Sequence, residues 1–325
     1  MSTPHTSTQS PLGSGFDASS TAADVMEGID LTGRRAVVTG GYSGIGLVTT
    51  RALVAAGARV VVPARRPEVA EEQLADLPGV DVRPMDLADL VSVRVFADEV
   101  VAAGAVDLVI DSAGVMAAPL TRVGPGWELQ LAANHLGHFA LVNHLVPALS
   151  RGSRVVSVSS RGHFYSPVRW DDPFFDAEPY DKWVAYGQSK TANALFAVHL
   201  DRLGAEHGVR AFSLHPGAIL TPLARHMDDD DLRRQGLIDE TGRRVVPAGM
   251  KSPEQGAATQ LWAATSPLLD GTGGLYLEDC DVAEVAPEDR AVSDRRGVRS
   301  WAIDPDLAER LWNWSAELTS VDAFA

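Results

Sequence analysis

Tyr186 and Lys190 stand four residues apart, a spacing that puts both side chains on one face of a helix. A free phenol, with a pKa of about 10, exchanges protons poorly at neutral pH, and a neighbouring ammonium favours its phenolate. Such a pair can donate or accept a proton. Ser159 and Ser160 end a β-branched run, and strand alternation lets only one hydroxyl face a given side. Far upstream, Thr39-Gly40-Gly41-Tyr42-Ser43-Gly44-Ile45-Gly46 follows another such run and leads directly into a helical pattern. Glycines there let the backbone turn sharply and approach a pyrophosphate held at the helix N-terminus. Leu47 follows Gly46 where a P-loop would carry lysine, which excludes that phosphate-binding class. At the end of the second run, Ala64 stands where an NAD site places an acid for the ribose 2′-hydroxyl, and Arg65 and Arg66 come next. A guanidinium suits a 2′-phosphate, so NADP(H) is the preferred cofactor and NAD(H) the alternative.

These residues need a scaffold that presents them at one edge. Short apolar runs at 36–39, 59–62, 80–83, 107–110, 154–159, 209–214 and 274–277 read as strands covered on both faces. Between them, 45–56, 69–77, 91–103, 127–149, 186–203 and 253–264 read as helices. The alternation predicts an α/β fold: one doubly wound, parallel Rossmann sheet of about seven strands with helices on both faces. Residues 29–325 form that single domain, with lid-like insertions at 161–185 and 218–252 and a C-terminal extension at 278–325. Residues 1–28 are rich in Ser, Thr, Gly and Pro and read as a flexible leader. The run Asp228–Asp231 reads as a solvated surface rather than a metal site.

Composition narrows the function classes. The chain has 325 residues, with 28 Lys and Arg against 43 Asp and Glu and a formal charge of −15. That balance argues against a nucleic-acid or anionic-membrane partner. No apolar run is long enough to span a bilayer, and the first residues lack a basic, apolar secretory signal, so a cytoplasmic location is expected. Cys280 is the only cysteine, which excludes an intrachain disulfide and a cysteine-rich metal site. His135, His138 and His144 share helical spacing without support for zinc ligation, and no metal is expected.

With its TGxxxGIG turn, YxxxK pair, Asn134-His135-Leu136-Gly137-His138-Phe139 and His215-Pro216-Gly217, the chain resembles the short-chain dehydrogenase/reductase family. Asp111-Ser112-Ala113-Gly114 stands where that family usually has Asn-Asn-Ala-Gly. The wording of NHLGHF and SKTAN is most similar to the retinol-dehydrogenase-like branch. The resemblance implies that Ser160 orients the substrate oxygen, Tyr186 exchanges its proton, and Lys190 holds the nicotinamide ribose. It implies that Asn134 positions the helix and a water that completes a relay. It further implies cofactor contacts from Gly40, Tyr42, Ser43, Gly44, Ile45 and Gly46, from Asp86 and Leu87 at the adenine, and from Ser112, Ala113 and Gly114. Pro216, Gly217, Ile219 and Thr221 would pass beneath the nicotinamide. The buried carboxylate of Asp111 is expected to need donors.

The expected function is therefore an NADP(H)-dependent oxidoreductase that interconverts a small-molecule carbonyl and alcohol. The rival is a non-catalytic NADP(H)-binding sensor or scaffold, which would have no need of a serine-oriented phenol. A homo-oligomer is left open, and the sequence does not identify the substrate.

Overall fold

Valine-rich runs pair side by side to build the centre of the molecule. The computed structural model describes residues 8–247, 249–291, 294 and 296–325. In chain order the elements begin with α1 (Ala22–Met26), β1 (Arg35–Thr39), α2 (Gly44–Ala55), β2 (Arg59–Ala64) and α3 (Pro67–Leu74). Then come β3 (Val80–Pro84), α4 (Leu90–Ala102), β4 (Val106–Asp111) and a small hairpin of β5 (Arg122–Val123) and β6 (Trp127–Glu128). Next are α5 (Leu129–Leu131), α6 (Gly137–Leu145), β7 (Leu149–Val158), α7 (Lys182–Gly204) and β8 (Arg210–His215). The chain finishes with α8 (Asp229–Arg234), α9 (Pro253–Thr265), β9 (Leu275–Glu278), β10 (Asp281–Val282) and α10 (Pro305–Thr319).

The main sheet has eight strands in the order β10-β9-β8-β7-β4-β1-β2-β3. All neighbours are parallel except β10, which runs antiparallel to β9. Seven of the eight are the expected strands. The eighth, Asp281–Val282, is too short to show a pattern. Register aligns Val37 with Val109, Val109 with Val155 and Val155 with Ala211, so one buried row crosses the sheet. Successive residues of β1 face opposite layers: Val37 joins Phe139 and Trp312 on one side, and Val38 joins Leu214 and Trp262 on the other.

Four expectations need correction. The continuous helix expected over 127–149 is interrupted: Trp127–Glu128 pairs as a strand, Ala132–Leu136 is a π turn, and Val146–Ala148 is 3-10. An apolar run shows periodicity but hides such a one-residue bulge. The leader is docked over its described part. Gln9 makes two hydrogen bonds to the backbone of Tyr276 and one to that of Ala283, Asp281 accepts from the amides at 12–14, and Ala22 and Val25 are buried with α9. Its polar side chains fill the backbone valences of a sheet edge, which composition does not reveal. The aspartate run is a solvated surface at Asp228, Asp229 and Asp230, as expected, but not at Asp231. Asp228 caps α8, while fully buried Asp231 pairs with Lys182 and Arg234 and accepts from the Trp183 indole at 3.1 Å. Finally, α7 begins at Lys182, capped by Asp181, so the first insertion ends sooner than expected.

In the C-terminal extension, Trp312 enters the core against Phe139 and stacks on Phe196, while Trp314 packs on Trp170 and Phe174 of the first insertion. Among the described residues, no helix is long and apolar enough to cross a membrane and no three side chains form a metal-ligand group.

Candidate active site

The C-terminal ends of β1, β2, β4, β7 and β8 open into one cleft of about 920 Å³, where an open α/β sheet places its ligands. Gly40, Tyr42, Ser43, Gly44, Ile45, Gly46, Arg65, Arg66, Asp86, Leu87, Ser112, Ala113 and Gly114 line it. Ser160, Tyr186, Lys190, Pro216, Gly217, Ile219 and Thr221 complete the sequence-predicted set. Asn134 alone among the candidates does not reach the cleft.

The Ser160 hydroxyl lies beside the Tyr186 phenol, close enough to oppose the rise in its pKa. Ser160 Oγ also accepts from the Gly162 amide at 3.0 Å, which fixes the rotamer. Gly162 is required for close approach: a Cβ there would stand 2.7 Å from the Tyr186 ring. Ser159 turns the other way, donating to the Lys190 carbonyl at 2.7 Å. Lys190 Nζ donates to the Val158 carbonyl at 2.8 Å and lies 5.8 Å from the Tyr186 ring centroid.

Asn134 acts from behind. It sits in the π turn, where its amide accepts from the Val115 N–H at 2.7 Å and donates to Val115 O and Ser189 Oγ, both at 2.9 Å. Ser189 in turn donates to the Tyr186 carbonyl at 2.8 Å. The π turn thus aims one amide at both the β4 loop and the tyrosine's helix. His138, not singled out as a site residue, extends this network. Its Nδ1 faces the Asn134 carbonyl and must carry the proton, which leaves Nε2 to accept from Thr39 at 2.9 Å. Thr39 Oγ1 accepts from the Ala113 amide at 3.0 Å. Burial holds His138 neutral, with its pKa pushed down to about 4.

The electrostatics depart from the simple tyrosine–lysine expectation. Burial raises the Tyr186 phenol to about 12, and the nearby Ser160 hydroxyl only partly opposes it. Burial also lowers the Lys190 ammonium to about 7, against the pull of Asp111. Asp111 is wholly buried, neither oxygen has a hydrogen-bond partner, and desolvation pushes its pKa well above the carboxylate range. The protein's own groups therefore keep the Tyr186 phenol protonated, and burial, opposed by Asp111, sets the proton affinity of Lys190.

The sequence profile of the short chain dehydrogenase family matches residues 34–172. A Streptomyces lividans protein named as a probable oxidoreductase is 45% identical over 300 residues, covering 90% of this chain and 99% of that protein. The chain belongs to the short-chain dehydrogenase family. Human retinol dehydrogenase 14 is 34% identical over 305 residues, covering 87% and 85% of the two chains. A solved structure from Mycobacterium Paratuberculosis superposes with a TM-score of 0.72 at 33% identity, covering 94% of this chain and 99% of that one. This short-chain dehydrogenase is an oxidoreductase that uses a nicotinamide cofactor.

Its cleft fits such a cofactor. The first turn of α2 has no side-chain cap, so its amides are free to meet a pyrophosphate. A Cβ on Gly46 would collide with the Gly40 carbonyl, so the turn closes only on glycine. Asp86 accepts from the Ala88 amide at 2.9 Å and leaves the capping of α4 to Asp89. Thr221 packs beside Gly44 and caps the 3-10 turn at Pro222–His226. That turn brings Arg225, which the sequence reading missed, into the field of Arg65, with His226 beside both. Its position inside an apparent loop gave no local signal.

Proposed function

We propose that this dehydrogenase interconverts a carbonyl and an alcohol with NADP(H), using Tyr186 as the proton donor in reduction. The observation that carries the reading is the Ser160–Tyr186 hydroxyl pair on the cleft wall, braced by Gly162 and backed by Lys190 and Asn134. When bound, the nicotinamide supplies or accepts the hydride. Ser160 polarises the substrate oxygen, and Tyr186 gives that oxygen its proton. Lys190, poised at about 7, takes up and returns the proton in the physiological range. Asn134 holds the helix that carries both through Ser189.

The NADP(H) preference rests on a cluster of cations. Arg65, Arg66 and Arg225 line one end of the cleft, and among the described residues none forms an ion pair. Partial desolvation and then the neighbouring Arg65 lower the proton affinity of Arg225, a crowding of like charge that a bound phosphate would relieve. Tyr42 occupies the glycine-turn position where a second basic group would otherwise stand, and Arg225 supplies that charge from the second insertion. A sensor or scaffold has no use for the oriented phenol.

Oxidation of NADPH across a panel of ketones and aldehydes tests the reading. Turnover is expected with NADPH, with kcat/KM falling about 10- to 100-fold when NADH replaces it. Replacing Arg65 and Arg225 together with Ala should erase most of that ratio. Equal use of both cofactors by the parent enzyme overturns the NADP(H) assignment.

A further inference from the structure

Arg161 follows Ser160 directly and lines the same cleft. It is half-buried, and its Nε is fully buried without a hydrogen-bond partner. No ion pair to Arg161 forms among the described residues. A half-buried guanidinium with no protein acceptor on any of its N–H groups is rare among folded proteins, and one on a cleft wall points to an anionic ligand. The nearest carboxylate that feels Arg161 is Glu278, and it is already committed. Glu278 Oε2 accepts from the Gly297 amide, and Oε1 lies 2.9 Å from His215 Nε2, off the line of an ideal hydrogen bond. His215 Nδ1 accepts from the Gly217 amide at 3.0 Å, which places its proton on the Nε2 facing Glu278.

Arg161 is also separate from the cations assigned to the 2′-phosphate. Arg65, Arg66 and Arg225 stand at the ends of β2 and of the second insertion's turn, whereas Arg161 leaves β7 beside the reacting hydroxyls. The walls contributed by the two insertions, including Trp183, Leu220, Leu237 and Met250, are largely apolar. A protein with a formal charge of −15 repels anions at long range, so an anionic substrate needs a local cation at its end point.

We propose that Arg161 binds a carboxylate on the substrate, so that the enzyme acts on oxo acids and hydroxy acids with an apolar body. This rests on the carbonyl–alcohol reading above. The outer edge of the guanidinium, its two Nη atoms, matches a carboxylate in a two-point pair, while the buried Nε lies behind it. Ser160 and Arg161 are adjacent, with Cα atoms about 3.8 Å apart, so the carboxylate lies close to the reacting oxygen. The oxo group takes one hydride at carbon and one proton at oxygen, and the carboxylate passes through unchanged.

The test uses the full-length enzyme with NADPH and a set of 2-oxo and 4-oxo acids bearing alkyl or phenyl groups, each beside its methyl ester. The readout is the acid-to-ester ratio of kcat/KM. The parent enzyme should favour acids by about 10- to 100-fold, chiefly through KM. Arg161→Met should bring the ratio close to one, and Arg161→Lys should keep an intermediate ratio. Thermal unfolding in the presence of NADPH verifies that each variant is folded. A parent ratio at or below one, or a ratio that survives Arg161→Met, overturns the proposal while uncharged ketones still turn over. Turnover of no carbonyl compound, charged or uncharged, overturns the carbonyl–alcohol reading and this proposal with it.

Discussion

At the scale of single residues, the site is set by what burial does to proton affinities. Asp111 is the sharpest case, because a carboxyl with no donor stands where the family resemblance leads one to expect an amide. Its pKa is raised in the folded state above an unfolded value of about 3.9, so the native protein keeps a proton that the unfolded chain has lost. That contribution favours the fold at low pH and is lost as pH rises above about 4 toward the raised value. Asp111→Asn removes the loss. The variant should gain about 1–3 kcal/mol at pH 8 and less at pH 5, measured as urea unfolding at the two values. A gain that is equal at both, or larger at pH 5, contradicts the buried-acid reading. Lys190 would then lose the carboxyl that opposes its burial and fall below about 7. Most of these groups were legible in the sequence, since Tyr186 and Lys190 announce themselves by spacing and the family resemblance picks Ser160 from the strand-end pair Ser159-Ser160. The direction of their proton affinities was not, because it depends on which charges lie within reach after folding.

Elements hold those residues through a few polar ties. The π turn at Ala132–Leu136 inserts Asn134 between the Val115 loop and Ser189 of α7, and this irregularity lay hidden inside an uninterrupted apolar run. Strands were easier to read, because the two-sided burial of β1, β4 and β7 leaves an apolar signature with clear ends. The insertions were recognisable only as interruptions. Their attachment comes from Lys182 at the start of α7, which pairs with Asp228 at 2.9 Å and with Asp231, joining the first insertion to the second. Lys182→Met should loosen the segment around α8. Tryptic cleavage after Arg233 and Arg234 should then quicken by about tenfold, equivalent to 1.4 kcal/mol of local opening, while Arg234 and Trp183 retain Asp231. An unchanged cleavage time course removes Lys182 from that role.

Over the whole molecule, one sheet gathers contributions from nearly the full chain at a single edge. Length alone suggests two domains, but the ordered strand patterns already point to one, and the sheet of eight strands agrees. The leader and the C-terminal extension were the parts least readable, because each is shaped by the surface it covers. Gln9 satisfies the β9 backbone, and Trp312 fills a space between Phe139 and Phe196. Against the acidic whole, the cleft concentrates positive charge at two places, Arg65 with Arg225 and separately Arg161. On the proposed reading, negative ligands would be held in the cleft by short-range pairing rather than by the overall field.

The central claim is that the Tyr186 hydroxyl is the proton donor of a carbonyl reduction. Tyr186→Phe keeps the ring against Gly162 and removes only the oxygen, so it isolates that role. NADPH binding should persist within about threefold by fluorescence titration, while kcat with the best carbonyl substrate should fall about 10²- to 10⁴-fold. A Tyr186→Phe enzyme that turns over at a rate close to the parent would contradict the account.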